Sequence, residues 1–325
     1  MIRLASLSEL VRGRLLNHPA VSGVERFVFE AARIRRGDCF IDTQGCPHRV
    51  GQAVKGGAYA VISAVSHPCR DQEVGWIEVA SMERALSGLS RYLILERSVN
   101  LYSADRVVCA LVDALMAGSG LLVEPSHQQL IVTLQREGPT PAVLLAHGHP
   151  HAQGASVSSA HYPLTILKEG LFETILDGGG RPVRLLLSSL FTPQLMQAVG
   201  LLESLGLRWR YPPSGLLGCA GRFEPLFLDA RLRPVGFGCT ARAAICDHGV
   251  PSVEIGSILN KMKQLAPWAH ILHSDERDLK RLVSVLEREP FHYAYLSGVE
   301  HEQLAACLQS RVVQPSLPGL RADPI

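Results

Sequence analysis

Between Glu30 and Ile62 the chain reads EAARIRRGDCFIDTQGCPHRVGQAVKGGAYAVI, and this stretch restricts the fold more than any other. Two short apolar runs, Asp38 to Asp42 and Tyr59 to Ile62, have the composition of strands. Between them lie a Gly-bearing turn and a short helical pattern, roughly Arg49 to Lys55. Arg36-Gly37-Asp38 leads tightly into the first strand. Gly56-Gly57-Ala58 gives the helix its stop, because positive φ is cheap only for glycine. Two apolar strands joined by a short helix make an α/β layer. The expectation is a compact unit over residues 21 to 95, with Phe40, Ile41, Val61 and Ile62 buried in one sheet.

The same residues carry a family resemblance. Gly37, Asp38, Phe40, Gly45, Ala53, Gly57, Ala58, Ala60 and Val61 fall in register with a D-S-R-x-V-x-x-G-D-x-F-x-A-x-x-G, helix, A-x-x-x-G-A-x-A-V-V pattern. That pattern resembles the N-terminal substrate-binding domain of the Mur ligases, which add amino acids to UDP-linked muramic acid. The most similar types add the third residue or the D-Ala-D-Ala pair. The resemblance implies an α/β fold and a setting in peptidoglycan-precursor chemistry. Ala31 and Ala32 stand where the pattern has the Ser-Arg that approaches the UDP group. The helical pattern Met82 to Leu93 resembles the element that closes this domain before the family's ATPase domain.

A Mur ligase would next show T-G-T/S-x-G-K-T-T, whose backbone amides cradle phosphates while the Lys neutralises them and the hydroxyl holds Mg²⁺. This chain reads Asn100-Leu101-Tyr102-Ser103-Ala104-Asp105-Arg106 instead. Both glycines and the lysine are missing, and Asp105 puts a negative charge where phosphates need a positive one. ATP-dependent ligase activity is not expected, and no bound cofactor is required by any motif.

Composition narrows the classes further. Net charge is +2 over 32 basic and 30 acidic residues, so no nucleic-acid footprint exists. No window approaches ~18 uninterrupted apolar residues, which argues against a membrane span. Ser6, Ser8, Glu9 and Arg12 interrupt the first segment, so a signal peptide is not expected and the cytoplasm is the simplest location. The eight cysteines form no C-x-x-C pair and read as free thiols in a reducing compartment.

The rest of the chain alternates in the same α/β manner. Helices are expected at Leu7–Leu16, Ala104–Met116, Ile166–Leu176, Pro193–Leu205, Ser257–Leu265, Glu276–Glu289 and Val299–Gln309. Strands are expected at Gly75–Val79, Leu121–Val123, Gln129–Leu134, Ala142–Ala146, Val183–Ser189, Ser252–Ile255, Ala269–Leu272 and Phe291–Leu296. Arg222–Asp229 and Pro234–Phe237 look like a hairpin. The resulting division is a Mur-ligase-like domain at 1–98, an α/β region at 99–312 with a split near 215–220, and a flexible tail at 313–325.

Two constellations could carry chemistry. His147, His149 and His151, with His161 ten residues on, follow a predicted strand and sit where α/β sheets place ligands. Such imidazoles can converge on a transition metal. The competing reading is a solvated loop that takes up Zn²⁺ or Ni²⁺ adventitiously. Gly236, Gly238, Thr240 and Arg242 form a G-x-G-x-x-A turn followed by a guanidinium, which could offer N–H donors and charge to an anion. A tight hairpin explains those glycines equally well.

Three functional hypotheses follow. The first is a Mur ligase-like protein without an ATP site that binds a nucleotide-sugar or peptidoglycan-precursor-like ligand, or a cell-wall enzyme. The second is an enzyme with a new centre in the C-terminal half, built on the histidine loop and the Gly236–Arg242 turn. The third is an interaction module with no small-molecule ligand.

Overall fold

The computed structural model describes residues 1–67, 71–118, 120–136, 138–153, 155–157, 162–212, 215–216, 218 and 221–310. His161 and the tail at 313–325 lie outside them. The chain forms two compact units, one of residues 1–104 with 119–157, the other of 105–118 with 158–325. This division differs from the expected one at 98/99, because the segment 119–157 returns to the first unit.

The first unit opens with helix α1 (Leu4–Leu10) and strand β1 (Gly13–Leu15). The helix is shorter than expected: Arg12 adopts φ 51°, and a Cβ on Gly13 would lie 2.7 Å from the Ile77 side chain. Then come β2 (Arg26–Val28), β3 (Asp38–Asp42), α2 (Pro47–Lys55), β4 (Ala60–Ser63), β5 (Gly75–Val79) and α3 (Met82–Glu96). The sheet order is β1-β5-β4-β3-β2, parallel throughout except for β1. Phe40 pairs with Val61 and Ile41 with Ile62. All four side chains are at most 1% exposed, as the sequence pattern requires. Strand alternation sends Phe40 and Val61 to the face shared with Val50 and Ala53 of α2. Ile41 and Ile62 go to the opposite face, with Leu89 and Leu93 of α3. Gly57, at φ 96°, ends α2 as its sequence predicts.

A second, parallel sheet in this unit has the order β9-β6-β8-β7, from β6 (Leu101–Ala104), β7 (Leu121–Val123), β8 (Ala142–Ala146) and β9 (Ser156–Val157). Between β7 and β8 lies α5 (His127–Leu134), where a strand was expected. A capping box decides it: the Gln129 N–H donates to Ser126 Oγ at 3.2 Å, and the Ser126 N–H to Gln129 Oε1 at 2.8 Å. The apolar positions 130, 131 and 134 then share one buried face. Helix α4 (Arg106–Leu115), lying between β6 and β7 in sequence, belongs to the second unit.

In the second unit, β10 (Ile166–Lys168), β11 (Thr174–Asp177) and β12 (Pro182–Leu185) form an antiparallel three-stranded sheet. A helix was expected over 166–176. Gly170 breaks it: a Cβ there would sit 2.6 Å from the Glu173 carbonyl, so the chain doubles back at that point. Helix α6 (Thr192–Ser204) follows, then β13 (Glu224–Phe227), β14 (Ala243–Asp247), α7 (Ser252–Leu265), β15 (Ile271–Ser274), α8 (Leu279–Arg288), β16 (Tyr293–Ser297) and α9 (His301–Ser310). Their sheet runs β13-β14-β16-β15, with only β13 antiparallel. The expected strand at 252–255 is the first turn of α7. Val253 there is 90% exposed, so its apolar character marks no core position. The expected hairpin reduces to one bridge, Leu228 with Pro234, flanked by the Val235 N–H donating to the Phe227 carbonyl at 2.9 Å.

Candidate functional site

Strand β6 ends at Ala104, and α4 begins at Arg106 with Asp105 as its N-cap. One Asp105 carboxylate oxygen accepts the Val107 N–H at 2.7 Å. The carboxylate therefore occupies the place and the charge role that an anionic ligand would take at this helix end. In the first unit, Ser103 is buried and its hydroxyl meets His147 Nδ1 at 2.7 Å.

His147 is exposed and turned to that serine. His149 and His151 instead gather with His127 from the first turn of α5, with ring centroids 5.1, 5.4 and 6.2 Å apart. Nδ1 of His127 and Nε2 of His151 are buried without a hydrogen-bond partner. Burial, with the neighbouring imidazoles and Arg91 adding to it, holds His151 down at about 4. Burial and His149 lower His127 against the pull of Glu83. His149 is lowered by burial against Glu124. All three shifts favour the uncharged ring. As they stand, no three His, Cys, Asp or Glu side chains among the described residues are arranged to hold a metal ion. The sequence reading missed His127 because its segment looked like a strand; the Ser126/Gln129 capping box was the signal that could have placed it.

The turn at Gly236–Arg242 lies in the second unit, whereas His147–His151 lies in the first. Part of its donor set is engaged within its own unit, while Arg242 Nε is buried without a hydrogen-bond partner. The Thr240 hydroxyl reaches the Leu228 and Arg242 carbonyls at 2.9 and 3.0 Å. The Arg242 guanidinium lies 4.0 Å from the Phe291 ring centroid and donates to the Leu286 carbonyl at 3.1 Å. Burial lowers its pKa. Gly238 is exposed, with φ 72°.

The second unit holds a charged network that the sequence reading did not single out. Asp247, at the C-terminal end of β14, is fully buried. It accepts from the Tyr295 hydroxyl at 2.7 Å and pairs with Arg222. Arg222 in turn reaches Glu254 of α7 at 3.3 Å. His273 stacks on Tyr295 at 5.9 Å, and its Nε2 lies 3.3 Å from Ser297 Oγ. Burial raises the Asp247 carboxyl, opposed by the Tyr295 hydroxyl and Arg222. Burial also works against the Arg222 charge, but the Asp247 and Glu254 carboxylates outweigh it and raise that pKa. Beside this network a cavity of about 240 Å³ is lined by Glu224, His248 and His301. An acid directly after the apolar run Ala243–Cys246 was the one local sign of such a place, since open α/β sheets gather polar groups at the C-terminal ends of strands. Arg222 and Tyr295 are too distant in sequence to have been joined to it.

No protein-family profile matches the chain, and no curated protein sequence matches it. Solved structures do. MurF from Acinetobacter baumannii is 12% identical, with 95% of this chain and 98% of that one covered at a TM-score of 0.44. MurF ligase from Thermotoga maritima in complex with ADP is 10% identical, with 89% and 99% covered at 0.42. A UDP-N-acetylmuramoyl-L-alanyl-D-glutamate–2,6-diaminopimelate ligase is 12% identical at 0.35.

Proposed function

We propose that this is a Mur ligase-like protein that does not use ATP at a phosphate loop and that binds a nucleotide-sugar or peptidoglycan-precursor-like ligand, or a cell-wall enzyme. The observation that carries the reading is the Asp105 carboxylate capping α4 where a phosphate loop would feed the helix. The ligand half is supported by the Mur-type pattern from Gly37 to Val61, which builds the β3-α2-β4 layer. Equilibrium dialysis with Mg-ATP should show no saturable binding below millimolar concentration. Micromolar binding, or phosphate release that depends on Arg106, would overturn the first half. A UDP-muramoyl peptide at 100 times its Kd should stabilise the protein by about 2.7 kcal/mol. No stabilisation, together with no binding to purified cell-wall ligases, overturns the second half. The reading places the protein in the cytoplasm. No helix among the described residues is long and apolar enough to cross a membrane.

A second reading, an enzyme with a new centre in the C-terminal half, is supported by the buried Asp247–Tyr295–Arg222 network, which sits at strand ends rather than at the Gly236–Arg242 turn. A transition metal on His149 and His151 would recruit His127 and require the rings to turn toward a common point. Metal analysis of protein purified without a His tag checks this.

A further inference from the structure

We propose that the first unit carries a second ligand site, for a small molecule with two or more closely spaced anionic groups, beside the edge strand β2. Strand β2 is the last strand of its sheet. Two clefts flank it, of about 630 Å³ and about 560 Å³, and they share Arg26, Phe27 and Gln135. Either alone is of the size that holds a small ligand. The edge itself is closed. Gln135 Oε1 accepts the Phe27 N–H at 2.5 Å, and Gln135 Nε2 donates to the Phe27 carbonyl at 3.2 Å. A side-chain amide thus takes the place that an incoming strand would occupy, so the clefts are not a strand-addition site.

Their charge is what is left to explain. Arg26 is engaged: it forms a two-point pair with the buried Asp38, at 3.1 and 2.7 Å, and Arg33 pairs with Glu30 at 2.8 Å. Arg35, Arg36 and Arg97 line the larger cleft and Arg136 the smaller one, and none has an ion-pair partner among the described residues. Arg36 has a single hydrogen bond, to the Tyr59 hydroxyl at 3.0 Å. Opposing them are two carboxylates without a cationic partner, Glu25 and Glu96, and the latter accepts from Tyr92. Guanidinium forks bind phosphate and carboxylate in two-point fashion, so three guanidinium groups without an ion-pair partner in one cleft select a ligand with several such groups. The site is at the N-terminal ends of β2 and β3, remote from the strand ends where the α/β rule would look, which is why no sequence motif announced it. The cell-wall reading is not needed here: a chain that ignores muramoyl peptides can still bind an anion at this edge.

Isothermal titration of the full chain with inorganic pyrophosphate and, separately, with citrate at low salt tests the proposal. At least one should bind saturably, and the double variant Arg35→Gln/Arg97→Gln should weaken it 10-fold or more. All the exchanged side chains are exposed, so the variant should keep the wild-type unfolding temperature; if it does not, Arg136→Gln and Arg36→Gln singly serve instead. Arg14→Gln, at an exposed pair with Glu78, should leave binding unchanged. Tighter pyrophosphate assigns a phosphate ligand, and tighter citrate a polycarboxylate. No saturable heat with either, or binding equal in the wild type and the arginine variants, overturns the site.

Discussion

Asp247 shows how much one buried residue can decide. Its partner Arg222 has a side chain only 12% exposed, and the Asp247 side chain is fully buried. Breaking such a pair from one side leaves an uncompensated charge, which typically costs about 3–5 kcal/mol. Asp247→Ala should therefore lower the stability of the second unit by about that much, measured by urea unfolding. Asp247→Asn should cost less, because an amide oxygen still accepts from Tyr295. Equal losses for the two variants would assign the whole cost to the lost charge, and no loss for Asp247→Asn would mean that the pair adds little beyond shape. Phe40 is the opposite kind of residue, since its burial was legible from the alternation of a short apolar strand. Its sheet partner Val61 and its register were legible for the same reason. Asp247 was not, because its partners lie 25 and 48 positions away in sequence and charge pairing leaves no periodic trace.

At the scale of elements, the sequence reading succeeded where a strand or helix ended in glycine and failed where two signals competed. The β3-α2-β4 layer carries its own punctuation. Segment 166–176 has helical spacing, but Gly170 and the Thr174 hydroxyl, bonded to the Leu187 carbonyl at 2.8 Å and to Ser189 Oγ at 2.9 Å, turn it into two strands. Helix α5 was hidden by its β-branched residues Ile131, Val132 and Thr133, and with it went one of the three rings of the histidine cluster. That cluster makes a pH prediction. The folded-state pKa of His151 is depressed to about 4, while an unfolded histidine titrates near ~6.5. The neutral folded form is favoured, so the contribution is fully present above the unfolded value and is lost as pH falls through the folded one. Raising charge on His151 also raises it beside His127, His149 and Arg91, while Glu83 acts in the opposite sense on His127 and Glu124 on His149. The urea midpoint of the wild type should fall between pH 6.5 and pH 4, and His151→Gln should flatten that fall. Parallel curves for the two proteins would remove the cluster from the account.

For the whole molecule, the chain passes between its two units at 104/105, 118/119 and 157/158, so neither unit is one continuous segment. A sequence reading that assumes contiguous domains cannot see this, and the expected domain at 1–98 was drawn on that assumption. The core shows what such a fragment lacks. Leu130, Ile131, Leu134, Val143 and Leu145 are at most 2% exposed and share one cluster with Leu7, Ile41, Ile62, Leu89 and Leu93. Truncating one buried aliphatic side chain costs about 2–5 kcal/mol, whereas a whole domain is stable by only about 5–15 kcal/mol. Removing five at once, with the helix and strands that carry them, exceeds what the remaining layer can offset. The fragment 1–98 should therefore lack a cooperative unfolding transition and show poor amide dispersion by NMR. A chain in which residues 1–104 are joined through a flexible linker to 119–157 should recover both. A cooperatively folded 1–98 would show that the Phe40 layer, with Val28, Val50 and Trp76 packed against it, is self-sufficient and that the returning segment only decorates it.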